Sequence, residues 1–356
     1  MKILIVCNTD SFSNPYVRTL YGGLKSQDCD ITCSIEQFWN HPLDYDIIHF
    51  QWPNVLVKGA GKNCENLQRN INRIKKHKRI LICTCHNISP HYDEGKEINL
   101  AYKIIYVNCN VIHHFGTKSI QLVKSAYPQC QAKHVVIPHH TYDKLYSMDV
   151  DKITARSKLQ IPIDTKVILA FGSFRNDEER NLVISLKRQM DGNYYFLVPG
   201  FFYRKILRTN LKKALVAAIK TLWYSYKAKV NGLHMTHHFI PDDSLPLYMA
   251  SADVLLIQRL RILNSGNVPL GMLAGLPIVG PNDGNVEELL RNTGNYVFDR
   301  NDLAGLPDII KAAISDDDIG KKNRICSKNF STDRVSAEFI NLYKSLFQKM
   351  SYEKAL

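Results

Sequence analysis

The chain has 356 residues, 45% of them hydrophobic and 22% charged, a composition that excludes a disordered or collagen-like polymer. That length exceeds one ordinary core and predicts two domains. Lysine and arginine number 46 against 33 acidic residues, a net charge of +13, which favours polyanionic partners: nucleic acid, an anionic membrane surface or a phosphate-bearing substrate.

Nine scattered cysteines, an odd number, do not form a disulfide framework. The apolar run Ile3–Cys7 near the start is too short for a signal peptide, and no long uncharged stretch would span a membrane. The expectation is a cytoplasmic protein, with peripheral contact on the inner face of a membrane left open.

In chain order, short apolar runs alternate with helix-like stretches. Ile3–Cys7, Ile47–Phe50, Ile80–Thr84, Ile104–Val107, Val111–Phe115 and His134–Ile137 are predicted as strands of a first unit, with helices such as Tyr16–Lys25 and Asn63–Lys76 between them. Val167–Phe171, Tyr194–Val198, His234–Phe239, Val254–Ile257, Pro277–Val279 and Tyr296–Phe298 form a second series, and a helix over Asp333–Lys349 ends the chain. Such alternation predicts parallel sheets covered by helices on both faces. The polar stretch Thr141–Asp164 divides the series into residues 1–147 and 148–332, with the last helix, about 333–356, free to pack back on the first. Doubly wound sheets bind ligands beyond the carboxyl ends of their strands, so the residues following each strand are the candidates for function.

After the first strand, Asn14-Pro15-Tyr16 reads as a capped helix start whose amides suit an anion, or as a helix start alone. The strand ending at Thr84 leads into Cys85-His86-Asn87, then Pro90-His91-Tyr92-Asp93-Glu94. This mixture suits bonding to sugar hydroxyls or removal of a hydroxyl proton. In the second series, Gly172-Ser173 with Arg175 and Arg180 offers close backbone approach and a diphosphate clamp. Around Arg261, Asn264-Ser265-Gly266-Asn267 opens a helix with free amides, and Glu288 follows the next strand, placed to meet a ribose or sugar hydroxyl. Asp149 and Asp151 spell the Asp-x-Asp of metal-dependent transferases, yet lie in the linker. They are not assigned to a metal, and neither are the pairs His113-His114 and His139-His140 or the group His234, His237 and His238.

These stretches, in order, resemble GT-B glycosyltransferases of the family-4-like clan, and more narrowly its bacterial β-mannosyltransferase-type enzymes of surface polysaccharide synthesis. Asn14-Pro15-Tyr16, Asp46-Ile47-Ile48-His49-Phe50-Gln51-Trp52-Pro53, Thr84-Cys85-His86-Asn87 with Pro90-His91, and Ile137-Pro138-His139-His140 match motifs of the first half. Phe171-Gly172-Ser173-Phe174-Arg175, Asn264-Ser265-Gly266 and Gly275-Leu276-Pro277-Ile278-Val279 match the second. The resemblance implies two Rossmann-like domains facing across a cleft, and transfer of a sugar from a nucleoside-diphosphate sugar to a glycan or lipid-linked acceptor. No cofactor or metal is implied beyond that donor substrate.

Arg175, Arg180, Arg261 and the amides from Asn264 to Asn267 would then hold the diphosphate, and Glu288 a ribose or sugar hydroxyl. Asn14, Tyr16 and Asn87 would lie on the acceptor side, and the base would be drawn from His86, His91, Asp93 and Glu94. Two departures matter. Ile262 and Leu270 stand where commoner retaining members carry glutamates, which fits inversion better. Glu178 stands where the family carries lysine, with Arg180 two residues on as a substitute. A retaining transferase and an inactive nucleotide-sugar-binding protein remain the alternatives.

From Gly192 to Pro241 there is no acidic residue. Within 201–229, Arg204, Lys205, Arg208, Lys212, Lys213, Lys220, Lys227 and Lys229 are interleaved with Leu207, Leu211, Leu215, Ile219, Leu222 and Trp223 at helical spacing. Such a helix lies on an anionic bilayer, or packs its stripe on the second domain with its lysines solvated. No nucleic-acid-reading module occurs, so nucleic acid is not expected as a partner.

Overall fold

The computed structural model describes residues 1–7, 14–25, 29–59, 61–90, 95–190, 192–201, 211–236 and 240–355. The chain divides into two compact units: Met1–Tyr142 with Phe330–Leu356, and Asp143–Asn329.

The first unit begins β1 (Lys2–Val6), α1 (Pro15–Lys25), β2 (Asp30–Cys33), α2 (Ile35–Asn40), β3 (Ile47–Phe50), α3 (Cys64–Lys76) and β4 (Ile80–Thr84). It continues with α4 (Lys96–Asn108), β5 (Val111–His114), α5 (Lys118–Ala126) and β6 (Lys133–Val136). The sheet order is β2-β1-β3-β4-β5-β6, parallel throughout. Every residue of β3 and β4 is buried, as a strand covered on both faces requires.

Two strand assignments differ from expectation. Ile104–Val107 belongs to α4, because the longer pattern wins: Ile98, Ala101, Tyr102, Ile104 and Ile105 recur at helical spacing and are buried. Asp30–Cys33, four residues long and lying at the sheet edge, is a strand the apolar-run reading passed over.

The second unit runs α6 (Lys152–Lys158), β7 (Lys166–Leu169), α7 (Asp177–Gln189), β8 (Tyr194–Pro199), α8 (Leu211–Val230), β9 (Leu233–Thr236), α9 (Leu245–Ser251) and β10 (Val254–Leu256). It ends with α10 (Asn267–Ala274), β11 (Ile278–Pro281), α11 (Gly284–Asn292), β12 (Tyr296–Phe298), α12 (Leu306–Ser315) and α13 (Ile319–Ser327). Its parallel order is β12-β11-β10-β7-β8-β9.

The polar stretch that divides the two series is itself folded. Asp151 caps α6 through the Thr154 amide at 2.9 Å. Buried Arg156 bonds Asp253 at 2.6 Å and three carbonyls, those of Ser251, Ile163 and Thr165. Asp149 accepts from the Ser147 hydroxyl at 2.6 Å. Both aspartates of the Asp-x-Asp are thus engaged in local turn and cap bonding.

The final helix, α14 (Thr332–Ala355), puts Val335, Phe339, Ile340 and Tyr343 into the core of the first unit. It comes so near α1 that a Cβ at Gly23 would collide with the Ser336 side chain.

Candidate functional site

Strand order reverses at one place in each sheet. In the second unit β7 and β10 lie side by side, with the later strands leading away in both directions. Beyond the carboxyl ends of such a pair a crevice opens where a doubly wound sheet takes its ligand.

Residues from both strand ends are stitched together there. After β7 the chain turns through Gly172, at φ +104, a left-handed conformation that glycine tolerates. The Asn267 side chain, at the first turn of α10, donates to the Phe171 carbonyl at 2.8 Å. Arg259, just after β10, donates to the Ser173 carbonyl at 3.1 Å and lies 3.9 Å from the Glu179 carboxylate. Gly200, just after β8 at φ +80, comes so near that a Cβ would meet the Gly172 carbonyl oxygen at 2.8 Å.

The loop from Ile262 to Asn267 is braced from α11. Asp283 accepts from the Ile262 amide at 2.6 Å while pairing with Arg300, also at 2.6 Å. The Asn285 amide bonds the Leu263 carbonyl at 2.8 Å, and its side chain donates to Asn264 at 2.7 Å. Ser265 accepts from the Asn267 amide at 3.3 Å. Gly266, at the cap, offers α10 no side-chain bond. The first-turn amides expected to be free are taken: Asn267 donates to the Ser265 hydroxyl and Val268 to the Ser265 carbonyl, both at 3.3 Å, and Pro269 has no N–H. What α10 brings to the rim is the positive end of its dipole.

Of the predicted nucleotide-side residues, Gly172, Ser173, Asn264, Ser265, Gly266 and Asn267 are brought to this rim. Arg175 joins them, half-buried, its amide held by Glu179 at 2.7 Å. Glu288 is half-buried on α11, and Arg261 is exposed on the braced loop. Buried Glu179 has its pKa raised by desolvation, an effect opposed by the Arg175 amide and by Arg259, Arg175 and Arg180.

Arg180 is a correction. It is 0% exposed, and its guanidinium donates to the carbonyls of Phe174, Asn176 and Phe201 at 2.8, 2.6 and 3.2 Å, among the rings of Phe174, Phe201 and Tyr224. It supports the loop from within rather than meeting a ligand at the rim. Arg259 is the cation that the choice of Arg261 passed over. Its place three residues past the end of β10 was the available signal.

In the first unit the reversal falls between β1 and β3, with β4 next. Asn14 accepts from the Tyr16 amide at 3.0 Å and from the Arg18 amide, through its own carbonyl, at 3.1 Å, so it does start α1. Tyr16 is buried among rings: His140 stacked at 4.9 Å, His86 and Phe115 edge-on at 4.9 and 5.5 Å, and His139 at 4.9 Å.

Half-buried His86 stacks on Trp52 at 4.4 Å, and its Nε2 donates to Gln51 Oε1 at 3.0 Å. In the neutral ring this leaves the lone pair on Nδ1. Gln51 is 1% exposed, and its Nε2 has no hydrogen-bond partner among the described residues. Asn87, next to His86, accepts through its carbonyl from the Tyr106 hydroxyl at 2.8 Å. The other candidate bases, His91, Asp93 and Glu94, lie outside the described residues. Gln51 and Trp52 were visible in the sequence as part of the Asp46–Pro53 motif, but not as partners of His86.

Beneath this cluster runs a buried chain of bonds. The Tyr343 hydroxyl meets His49 Nδ1 at 2.7 Å, His49 Nε2 meets Thr84 Oγ1 at 2.8 Å, Thr84 Oγ1 meets His113 Nδ1 at 3.1 Å, and His113 Nε2 donates to the Ile137 carbonyl at 2.8 Å. That last bond fixes the direction of the rest for neutral rings. Burial holds His49 down to about 3, helped by the nearby His113, and holds His113 down to about 4.

No protein-family model matches the chain, and no curated protein matches it in sequence. Solved structures do match in shape. Sucrose-phosphate synthase of Thermosynechococcus elongatus superposes with a TM-score of 0.76 at 13% identity, over 98% of this chain and 100% of that one. Anabaena HepE, in a structure with UDP-glucose, gives 0.68 at 14% identity over 97% and 100%. A glycosyltransferase of Rickettsia africae gives 0.66 at 13% identity over 97% and 98%. At such identity the likeness is one of fold, and the fold is GT-B, with two Rossmann-like α/β domains.

Proposed function

We propose that the protein is a glycosyltransferase that moves a sugar from a nucleoside-diphosphate sugar to a hydroxyl of a glycan or lipid-linked acceptor in surface polysaccharide synthesis. The observation that carries the reading is the stitched crevice at the β7–β10 reversal. There the Gly172 turn, Arg175, Arg259 and the N-terminal end of α10 gather at one rim, in a fold whose solved neighbours include one holding UDP-glucose.

The reaction is read as an inverting displacement without a metal. The acceptor oxygen bonds to the anomeric carbon as the bond from that carbon to the diphosphate breaks, and the diphosphate leaves with the electron pair. The arginines and the positive end of the α10 dipole supply positive charge where that negative charge develops. The acceptor proton passes to a base on the first unit. The candidates are Asp93, Glu94, His91 and His86, whose Nε2 is held by Gln51 and which would otherwise orient the donor sugar. Ile262 and Leu270, both buried, supply no carboxylate of the kind retaining members use.

The Trp52–His86 pair beside buried Gln51 suits a sugar, with apolar ring faces for C–H surfaces and an amide for hydroxyls. A lipid-linked acceptor would bring the protein to the cytoplasmic face of an anionic membrane.

Thermal unfolding with UDP, UDP-glucose, GDP- and CDP-sugars tests the assignment. Stabilisation by one nucleotide class is expected, by about 3 kcal/mol when ligand exceeds Kd a hundredfold, and no stabilisation by any of them would overturn the reading. Binding without turnover on any acceptor would instead favour a nucleotide-sugar-binding protein.

A further inference from the structure

Helix α8 is solvated on the wrong face for a helix of a globular domain. Its inner side is Tyr224 and Ala228, 3% and 0% exposed, which join the core of the second unit. Its outer side is apolar: Leu215, Val216, Ile219, Leu222, Trp223, Tyr226 and Val230 are all exposed, Leu222 to 72% and Tyr226 to 68%. At ~100° per residue these seven side chains fall within an arc of roughly 120°. The same geometry sets Lys227 along one border and Lys229 along the other, with Lys220, paired to Asp177 of α7 at 2.9 Å, beside Lys227. Lys227 lies over the Trp223 ring, its Nζ 3.7 Å from the centroid.

We infer that this outer face is a membrane-docking surface, inserting its apolar arc into the headgroup boundary of an anionic bilayer. For its purpose this rests on the reading of a membrane-borne acceptor; its geometry does not depend on the reaction. Apolar side chains at helical spacing, bordered by cations and including Trp and Tyr, fit a helix lying in the interfacial plane. No helix among the described residues is long and apolar enough to cross a membrane.

Charge decides between a bilayer and a second copy of this chain. The sequence from Gly192 to Pro241 holds no acidic residue. Two such faces in contact would set lysines against lysines, whereas anionic headgroups complement them.

Sedimentation of the full-length protein with vesicles tests the surface, using phosphatidylcholine alone and phosphatidylcholine mixed with phosphatidylglycerol. The wild type should bind the anionic vesicles about tenfold or more tightly than the neutral ones, less so as salt rises. Leu222→Asp with Tyr226→Asp should lower that binding by about tenfold or more. Both positions are largely exposed, so thermal stability and stabilisation by UDP should stay as in the wild type. Trp223 fluorescence should shift to the blue on anionic vesicles, a shift absent in Trp223→Phe.

Equal vesicle binding by wild type and double variant would overturn the proposal. So would a dimer in solution that the double variant dissolves. Loss of UDP stabilisation in the wild type would count against the transferase reading and leave the surface standing. Absent vesicle binding with UDP stabilisation intact would reject the surface alone.

Discussion

The side-chain amide of Asn267 donates to the backbone carbonyl of Phe171 across 2.8 Å and 96 residues of sequence. It joins the N-terminus of α10 to the turn after β7, so the start of the helix and the Gly172 loop keep one relative position. Removing the bond frees both walls of the crevice. Asn267→Ala should cost about 1 kcal/mol in stability and weaken UDP binding by roughly tenfold, since ordering of the loop must then accompany binding. Calorimetric titration with UDP, paired with urea unfolding, separates the two effects. An unchanged affinity would show that the stitch is structural only.

A second prediction separates nucleotide binding from catalysis. Arg175 belongs to the β7–β10 crevice, and His86 to the ring cluster with Trp52 and Gln51. Arg175→Ala should weaken nucleoside diphosphate binding strongly, whereas His86→Ala should leave it near the wild-type value. If His86 is the base, transfer should drop by about 10²-fold or more in His86→Ala. Equal losses of UDP affinity in the two variants would contradict the division.

Much of this was legible in the sequence because it depends on local pattern. Short β-branched runs such as Ile80–Thr84 announce buried parallel strands, and the residues after them therefore lie at the ligand edge. What was not legible depends on longer range. The run Ile104–Val107 looks like a strand over four residues and like a helix over thirteen. Arg180 shows the same limit at one side chain. Glu178 is exposed at the start of α7, but two further residues turn the helix by about 200°, and Arg180 faces the core instead. Nor could a one-dimensional reading pair Gln51 with His86, since that bond depends on β3 and β4 being neighbours.

The burial of Arg180 makes a prediction of its own. Arg180→Ala leaves the carbonyls of Phe174, Asn176 and Phe201 without their donor, and unsatisfied buried groups cost on the order of 1–3 kcal/mol each. The total loss should be about 3 kcal/mol or more in urea unfolding, far beyond the effect of a rim arginine. Arg261→Ala, at an exposed position, should stay within about 0.5 kcal/mol of the wild type. Comparable stability of the two variants would mean that Arg180 is not the internal brace its bonds describe.

The buried histidines set how stability responds to pH. His49 and His113 are held down to about 3 and 4 from an ordinary value near 6.5, mainly because burial penalises the charged ring. The folded state therefore refuses protons that the unfolded chain accepts. The linked stability is complete above the unfolded value and is lost as pH falls from about 6.5 toward 4 for His113 and toward 3 for His49, at about 1.4 kcal/mol per pH unit for each histidine at the steepest. Most carboxylates are still ionised between pH 6.5 and 5, so that window isolates the histidines. The midpoint of thermal unfolding should be flat above pH 7 and fall steadily through the window. His49→Gln will lower stability at every pH by disturbing the bonds to Tyr343 and Thr84. The diagnostic is the slope, which should be shallower by up to about one proton than in the wild type. A wild-type slope of zero between pH 6.5 and 5, or a variant slope no shallower, would mean that His49 is not buried in its neutral form.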